Sequence, residues 1–334
     1  MSSLPEDLYP DIFSRLPVKS LLLCKCVCKN WYALICTSDF VKFHLNLTTQ
    51  KNNPIFMLKG LDSDFLYSID YDLLASSVSE IEADAIEMDH PFKSLNYGVD
   101  FLYSIVWIWL SENDDDDRDH FCFWNPATRE YKEIPSHKRV YMLESNSWKD
   151  EQTIPYQFLL VQNSGVLVNG HLHWLVSGED DFLPYYNFLL ISLDISDDSF
   201  KEMQLPKEFL EESTGIILGE LEGCLCALVS SDGYGALVHF EVWKMLDHGI
   251  RESMSERYVI VHDSFVSTPF YFKLVWSFNN GEILFLSWDK LVLYEPNKGS
   301  AQLKTCSSPL LKAEYYFESL VSLNSGSYVG AENH

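Results

Sequence analysis

Val168-Asn169-Gly170-His171-Leu172-His173-Trp174-Leu175 is the stretch from which the architecture can be read. A tight-turn dipeptide precedes a run of strand length, the pattern of a strand leaving a hairpin turn. The unit recurs as Leu221-Glu222-Gly223-Cys224-Leu225-Cys226-Ala227-Leu228 and as Asn279-Asn280-Gly281-Glu282-Ile283-Leu284-Phe285-Leu286, with the glycines 53 and 58 residues apart. A second signature runs in the same phase: Phe123-Trp124-Asn125-Pro126 to Tyr131-Lys132, Leu193-Asp194-Ile195 to Phe200-Lys201, and Leu293-Tyr294-Glu295-Pro296 to Gln302-Leu303. A period near 50 with about four short strands per unit predicts blades of a kelch-type β-propeller; a stacked solenoid repeats over a shorter distance.

Outward from these units the pattern stays that of short strands. From about residue 52 onward, apolar runs recur at Ile55–Leu58, Phe65–Ile69, Phe121–Trp124, Phe188–Leu193, Phe240–Met245, Tyr258–Val261, Ile283–Leu286 and Leu291–Tyr294. Most are bounded by Gly, Pro, Asn or Asp, and no long amphipathic helix interrupts them, so the domain is expected to be all-β. The period falters in one place. Gly98 and Gly170 are 72 residues apart, where two repeats need about 105, so roughly 30 residues are missing against the period. Tyr131-Lys132 and Trp148-Lys149, which look like the ends of successive blades, are only 17 residues apart. The ring is therefore expected to contain one incomplete blade.

The first 46 residues read differently. Leu4, Leu8, Ile12 and Leu16 recur every four residues, with Pro5 near the start, where a missing N–H costs nothing. Leu16-Pro17 ends that helix, and Ser20 is placed to cap a second from Leu21 to about Ile35. The second carries two apolar stripes, Leu21, Cys24, Cys28, Trp31, Ile35 and Leu23, Val27, Leu34, and so needs cover on two sides. A segment this small buries little of its own surface. Pattern alone leaves open whether the rest of the chain or an outside partner supplies the cover. The expected organisation is a helical unit over 1–46, the β domain over 47–328 and a flexible tail at 329–334.

Composition narrows the functional classes. The chain has 334 residues, of which 47 % are hydrophobic, with 21 Phe, 18 Tyr and 9 Trp, a composition for packed sheets rather than disorder. The longest apolar run, Phe101 to Leu110, is about half of what a bilayer span requires. Pro5, Glu6 and Asp7 suit neither a signal nor a transit peptide, so the expected location is cytoplasmic, nuclear or both, with no membrane partner. Net charge is −25, of which residues 1–46 hold +1 and the remainder −26, a field that repels nucleic acid. The eight cysteines form no C-x2-C knuckle and are expected to be buried free thiols.

No G-x-S-x-G, P-loop, G-x-G-x-x-G or H-E-x-x-H sequence occurs, so no catalytic residue, cofactor or metal is expected. His171 and His173 alternate on a strand, but no third ligand is evident beside them, and turn and core histidines are the simpler reading. Asp114-Asp115-Asp116-Asp117 lacks the spacing that points calcium ligands inward. It reads as a solvated loop, and is the candidate contact for a basic target.

Leu4-Pro5-Glu6-Asp7-Leu8, Ile12, Leu16-Pro17-Val18-Lys19-Ser20-Leu21, and Cys26-Val27-Cys28-Lys29-Asn30-Trp31 with Ile35 resemble the F-box motif in order and spacing. Trp124-Asn125-Pro126-Ala127-Thr128-Arg129-Glu130, Glu144 to Lys149, Asn169 to Trp174, Ser199-Phe200-Lys201 with Leu205-Pro206, and Glu241 to Met245 resemble the F-box-associated domain of plant F-box proteins. The pattern is similar to the subgroup that includes S-locus pollen proteins and regulators of plant immune receptors. The resemblance implies a non-catalytic substrate adaptor of a ubiquitin ligase. Its helices would dock a Skp1-type adaptor, and through it a cullin and a RING protein, while the propeller binds a protein target. Carried over by motif position, the docking residues are Leu4, Pro5, Leu8, Ile12, Leu16, Pro17, Leu21, Val27 and Trp31. The family's Gly-Tyr-Asp hairpin falls in the shortened stretch, and Glu252-Ser253-Met254-Ser255 stands where the family places Ser-Trp-Thr-Lys. Two other readings stay open: a degenerate F-box protein without a productive target, and a propeller with binding or enzymatic activity that the helices merely cap.

Overall fold

The computed structural model describes residues 5, 8–60, 66–82, 84–90, 98–102, 106–111, 120–134, 140–142, 147–149, 156–158, 165–178, 188–197, 199–207, 209, 215–231, 239–261, 272–287, 290–306 and 309–323. Helices come first: α1 (Tyr9–Phe13), α2 (Val18–Cys24), α3 (Lys29–Ile35) and α4 (Ser38–Gln50). The expected first helix is shortened to α1, with Pro10 rather than Pro5 in its opening turn. The expected second helix is two. After α2 the chain tightens through Cys26 and Val27, whose N–H groups bond the carbonyls of Leu23 and Cys24, and Cys28 is fully extended before α3. Val27 and the neighbouring cysteines are weak helix formers, and the apolar stripes carry no sign of the break. Pro17, not Ser20, precedes α2, without a side-chain cap. Thr37 caps α4, its Oγ1 accepting from the Phe40 N–H at 3.3 Å. α4 runs through residues 46 and 47, so the helical unit extends to Gln50 rather than ending at 46.

Among the described residues the β region forms five sheets and one separate hairpin. The second sheet takes the strands Gly98–Leu102, Val106–Ser111, His120–Asn125 and Glu130–Ile134 in order. In the third, Tyr156–Phe158 and Val166–Val168 both pair with His171–Gly178, followed by Phe188–Asp194 and Ser199–Met203. The fourth is Gly215–Leu221, Cys224–Ser231, His239–Met245 and Met254–Val261, and the fifth Phe272–Ser277, Ile283–Ser287, Lys290–Glu295 and Ser300–Lys304. All three predicted outer hairpins are present, Trp124 facing Tyr131, Leu193 facing Phe200 and Leu293 facing Gln302. Asn169-Gly170 and Glu222-Gly223 turn with both residues at positive φ, the backbone that matches the twist of a two-residue hairpin.

The first sheet closes the ring. Its first strand in space is the last in sequence, Leu310–Tyr316, which pairs antiparallel with Ile55–Gly60, followed by Leu66–Ile69 and Ile86–Glu87. Apolar clusters join neighbouring sheets face to face: Met57 and Leu66 with Cys122 and Trp124, Phe56 and Leu58 with Val275 and Leu284, Leu228 and Phe240 with Phe272 and Phe285, and Leu175 and Leu190 with Leu218 and Ala227. Sheets stacked face to face around a centre are the blades of a propeller.

In sequence between the second and third sheets comes a separate two-stranded hairpin, Val140–Met142 paired with Ser147–Lys149. Gly98 is out of phase with the turn glycines, since it opens a strand. The connection between the paired strands Gly98–Leu102 and Val106–Ser111 is residues 103–105, outside the described residues, 65–67 residues before Gly170. The stretch is therefore about ten residues longer than one period rather than 30 short of two, and the hairpin occupies the excess. The apolar run Phe101–Leu110 is divided between two strands paired with each other.

The chain ends by tying the two parts together. After the closing strand, Leu320 inserts into the helical core among Phe13, Val18, Leu21, Ile35, Phe40 and Val41. Asn125 Nδ2 donates to the carbonyls of Ser319 (3.1 Å) and Val321 (2.8 Å), and the Leu323 N–H donates to Glu130 Oε2 at 2.8 Å. The predicted tail at 329–334 lies outside the described residues, but the segment before it is a strut. Truncating Leu320 to Ala leaves a cavity in the helical core and should destabilise that unit by about 2–5 kcal/mol. Urea unfolding of the variant at wild-type stability, with unchanged hydrogen exchange in α2 to α4, would show that the strut carries no such load.

Candidate functional site

The helical unit has one face packed and another in water. Phe13, Val18, Leu21, Ile35, Phe40 and Val41 are buried. Trp31 is half-buried and stands edge-on to Phe13 (4.9 Å between ring centroids) and Tyr9 (5.6 Å). His44, also buried, donates through Nε2 to the Leu16 carbonyl at 2.9 Å and so holds the end of the first turn against α4. At the junction with the tail, burial raises the Glu318 carboxyl above its ordinary range, opposed by His44 and Lys19.

The motif residues divide between these faces. Leu4 lies outside the described residues. Pro5 and Pro17 are exposed. Leu8 and Ile12, one helical turn apart, are 44 % and 40 % exposed, and Val27, at the break between α2 and α3, is 63 % exposed. Leu16 is half-buried and packs with Trp31 against the core. Leu21 corrects the expectation: it is fully buried, so it supports the face from beneath and has no surface to offer a partner. Three large side chains absent from the motif reading are also exposed: Leu23 at 68 %, Tyr32 at 56 % and Phe43. Leu23 was legible as a member of the stripe with Val27 that needed cover. Tyr32 and Phe43 had no such signal.

The cysteines depart from expectation in the same region. Cys122 and Cys226 are buried, but Cys26 and Cys28 are exposed beside Val27, and the other four are partly buried. Burial holds the Cys226 thiol far above its ordinary range.

Among the described residues no group of three or more His, Cys, Asp or Glu side chains is set to hold a metal ion. His173 is in the core and His171 is half-buried by its turn, with His248 beside both. Phe123 and Trp124 are buried in the propeller. Asp114, Asp115, Asp116 and Asp117 lie outside the described residues. Among the described residues no helix is long and apolar enough to cross a membrane.

Comparison with known proteins agrees with this division of the chain. The F-box domain family matches residues 1–43, and the family described as F-box associated beta propeller domain matches residues 103–294. The chain is similar to F-box protein CPR1 of Arabidopsis thaliana, at 25 % identity over 96 % of this chain and 89 % of that protein. It is also similar to F-box/kelch-repeat protein At3g23880 of the same plant, at 24 % identity over 74 % of this chain and 76 % of that protein.

The two faces should respond differently to truncation. Leu21→Ala should cost about 2–5 kcal/mol of stability, whereas Val27→Ala, made in water, should stay within about 0.5 kcal/mol of wild type. Thermal and urea unfolding of the two variants checks this. Equal losses would mean that the exposed face is buried in the isolated chain.

Proposed function

The chain belongs to the plant F-box proteins that carry an F-box associated β-propeller domain, and from that membership we propose that it is the substrate-recognition subunit of a Skp1–cullin–F-box ubiquitin ligase. Its helices dock the Skp1-type adaptor, which brings the cullin and the RING protein, and its propeller holds a protein target. The observation that carries the reading is the exposed apolar set Leu8, Ile12, Leu23, Val27 and Tyr32 on a unit whose opposite face is already filled by Leu320 and its own core. A helical cap on the propeller accounts for the packed face alone. Large apolar side chains gathered on a unit this small are the mark of a protein interface. The docking set is then Leu4, Pro5, Leu8, Ile12, Pro17 and Val27, joined by Leu23, with Leu16, Leu21 and Trp31 holding it in shape.

In this role the protein makes and breaks no bonds. Holding a target beside the conjugating enzyme raises its effective concentration, and that proximity is the whole contribution. The work belongs in the cytoplasm or nucleus. Residues 47–334 carry −26 of the charge, so the target is a protein with a basic surface, met at Asp114–Asp117 and drawn in by the field.

Two measurements test the proposal. The double variant Leu8→Ala/Ile12→Ala should lose about 1–3 kcal/mol of adaptor affinity per side chain, while tryptophan fluorescence reports an intact propeller. Undiminished capture of the Skp1-type adaptor would sink the docking assignment. For the target, association should slow as salt shortens the screening length from about 10 Å at 0.1 M to about 3 Å at 1 M, and should slow likewise when Asp114–Asp117 are changed to Asn. A rate indifferent to both leaves the charge as a solubility device.

A further inference from the structure

Three imidazoles meet where the third sheet packs on the fourth. His171 and His173 come from the strand His171–Gly178, and His248 from the turn after His239–Met245. The ring centroids of His248 lie 4.5 Å from His171 and 5.0 Å from His173. His173 is fully buried. Its Nδ1 is 3.0 Å from the Val166 carbonyl and its Nε2 is 2.8 Å from His248 Nε2. A carbonyl only accepts, so Nδ1 of His173 carries the proton and its Nε2 is bare. The short contact between the two Nε2 atoms is then a hydrogen bond in which His248 donates. It crosses the seam directly, alongside the apolar packing of Val168, Leu175 and Leu190 on Ile216, Leu218 and Met245.

We propose that this cluster is a proton-operated clasp between the third and fourth sheets, closed while His173 and His248 share one proton between their Nε2 atoms and sprung when His173 takes a second. With a proton on each Nε2, two donors would face one another at 2.8 Å and the bond would become a repulsion. The surroundings do not absorb the new charge. Among the described residues Asp194 is the carboxylate that acts on His248, and it already faces His171 Nε2 at 3.3 Å and accepts from the N–H and hydroxyl of Ser196. Lys201, on the adjoining strand, adds a positive charge within electrostatic reach of His248. Ser192, directly across from His173 in register, has a buried hydroxyl with no hydrogen-bond partner among the described residues. Asp194 is thus already engaged by His171 and Ser196, and is not set to pair with a second proton on His173.

The titration follows from the geometry. Burial pushes His173 down to about 4, with the neighbouring His248 and His171 adding to the effect. Burial, then His171, lowers His248 as well. An imidazole whose value is depressed in the folded protein gives stability that is complete above about 6.5 and is lost as pH falls towards 4. Between pH 7 and pH 5 the opening constant of the seam should rise about 20-fold from His173 alone. The clasp does not depend on whether the helices dock an adaptor, so the two readings stand or fall separately.

The test is hydrogen exchange of the full chain at pH 7 and pH 5, corrected for intrinsic rates. Amides in 166–178 and 239–254 should lose about 20-fold in protection, while those in 272–295, across the next seam, should hold. His173→Gln keeps both contacts, its amide donating to Val166 and its carbonyl accepting from His248, but cannot titrate, so its seam should stay protected at pH 5. Equal losses in wild type and variant would overturn the proposal. Should the variant fail to fold, imidazole nitrogen shifts of the wild-type chain decide. A His173 that remains neutral, protonated on Nδ1, below pH 5 supports the clasp, and one that titrates near 6.5 overturns it.

Discussion

The antiparallel pairing of Ile55–Gly60 with Leu310–Tyr316 is the constraint on which the rest of the structure depends. It joins residues some 250 positions apart in the sequence and gives the ring a strand from each end of the β domain. Without it the closing sheet loses its first strand, and the pairing row of Ile55–Gly60 opens to solvent as a sheet edge. The same strand is bonded sideways. Glu314 forms an ion pair with Lys273 on the opening strand of the fifth sheet, and Tyr315 rests against Trp276 with ring centroids 4.2 Å apart. On the far side of the pair, Tyr71 donates to Glu282 at 2.5 Å and receives Asn280 at 2.7 Å. The seam between first and fifth sheets is therefore held by polar contacts on both sides of an apolar filling.

A buried lysine shows how closely that seam is specified. Lys304, at the end of the fifth sheet, is 1 % exposed, and burial lowers its ordinary affinity for a proton. Its Nζ donates to the carbonyls of Ser76 at 2.5 Å and Val78 at 2.7 Å, and so closes off the loop that follows the short helix Tyr71–Ala75. A buried ammonium held by carbonyl dipoles contributes little net stability, but it tolerates only one arrangement of the loop around it. The apolar clusters supply the driving force, and groups of this kind select the register.

What was legible in the sequence follows from how local its cause is. Asn169-Gly170 and Glu222-Gly223 announced their hairpins because a two-residue turn needs positive φ within the turn itself. The outer hairpins of the second, third and fifth sheets were legible through Asn125, Asp194 and Pro296, residue types that favour turns locally. The closing pair left no local mark, since neither partner says what it meets. The break between α2 and α3 was hidden because both stripes continue across Cys26–Cys28 as if the helix did. That break decides which side chains are exposed: Val27 is turned outward while Leu21 faces the core. The third imidazole at His248 sits in a turn 75 residues from His173, where spacing carries no information.

Leu320 has a meaning in time as well as in space. A chain made from its N-terminus completes Ile55–Gly60 long before it reaches the strand that pairs with it, by about 12–50 s at ordinary rates of translation. Throughout that interval the helical core lacks its plug and the first blade its first strand, so the nascent protein has neither a finished F-box nor a closed ring. Both are completed by the same short stretch, residues 310–323. A chain cut short anywhere before this stretch therefore lacks both the plug of the helical core and the closing strand of the first blade.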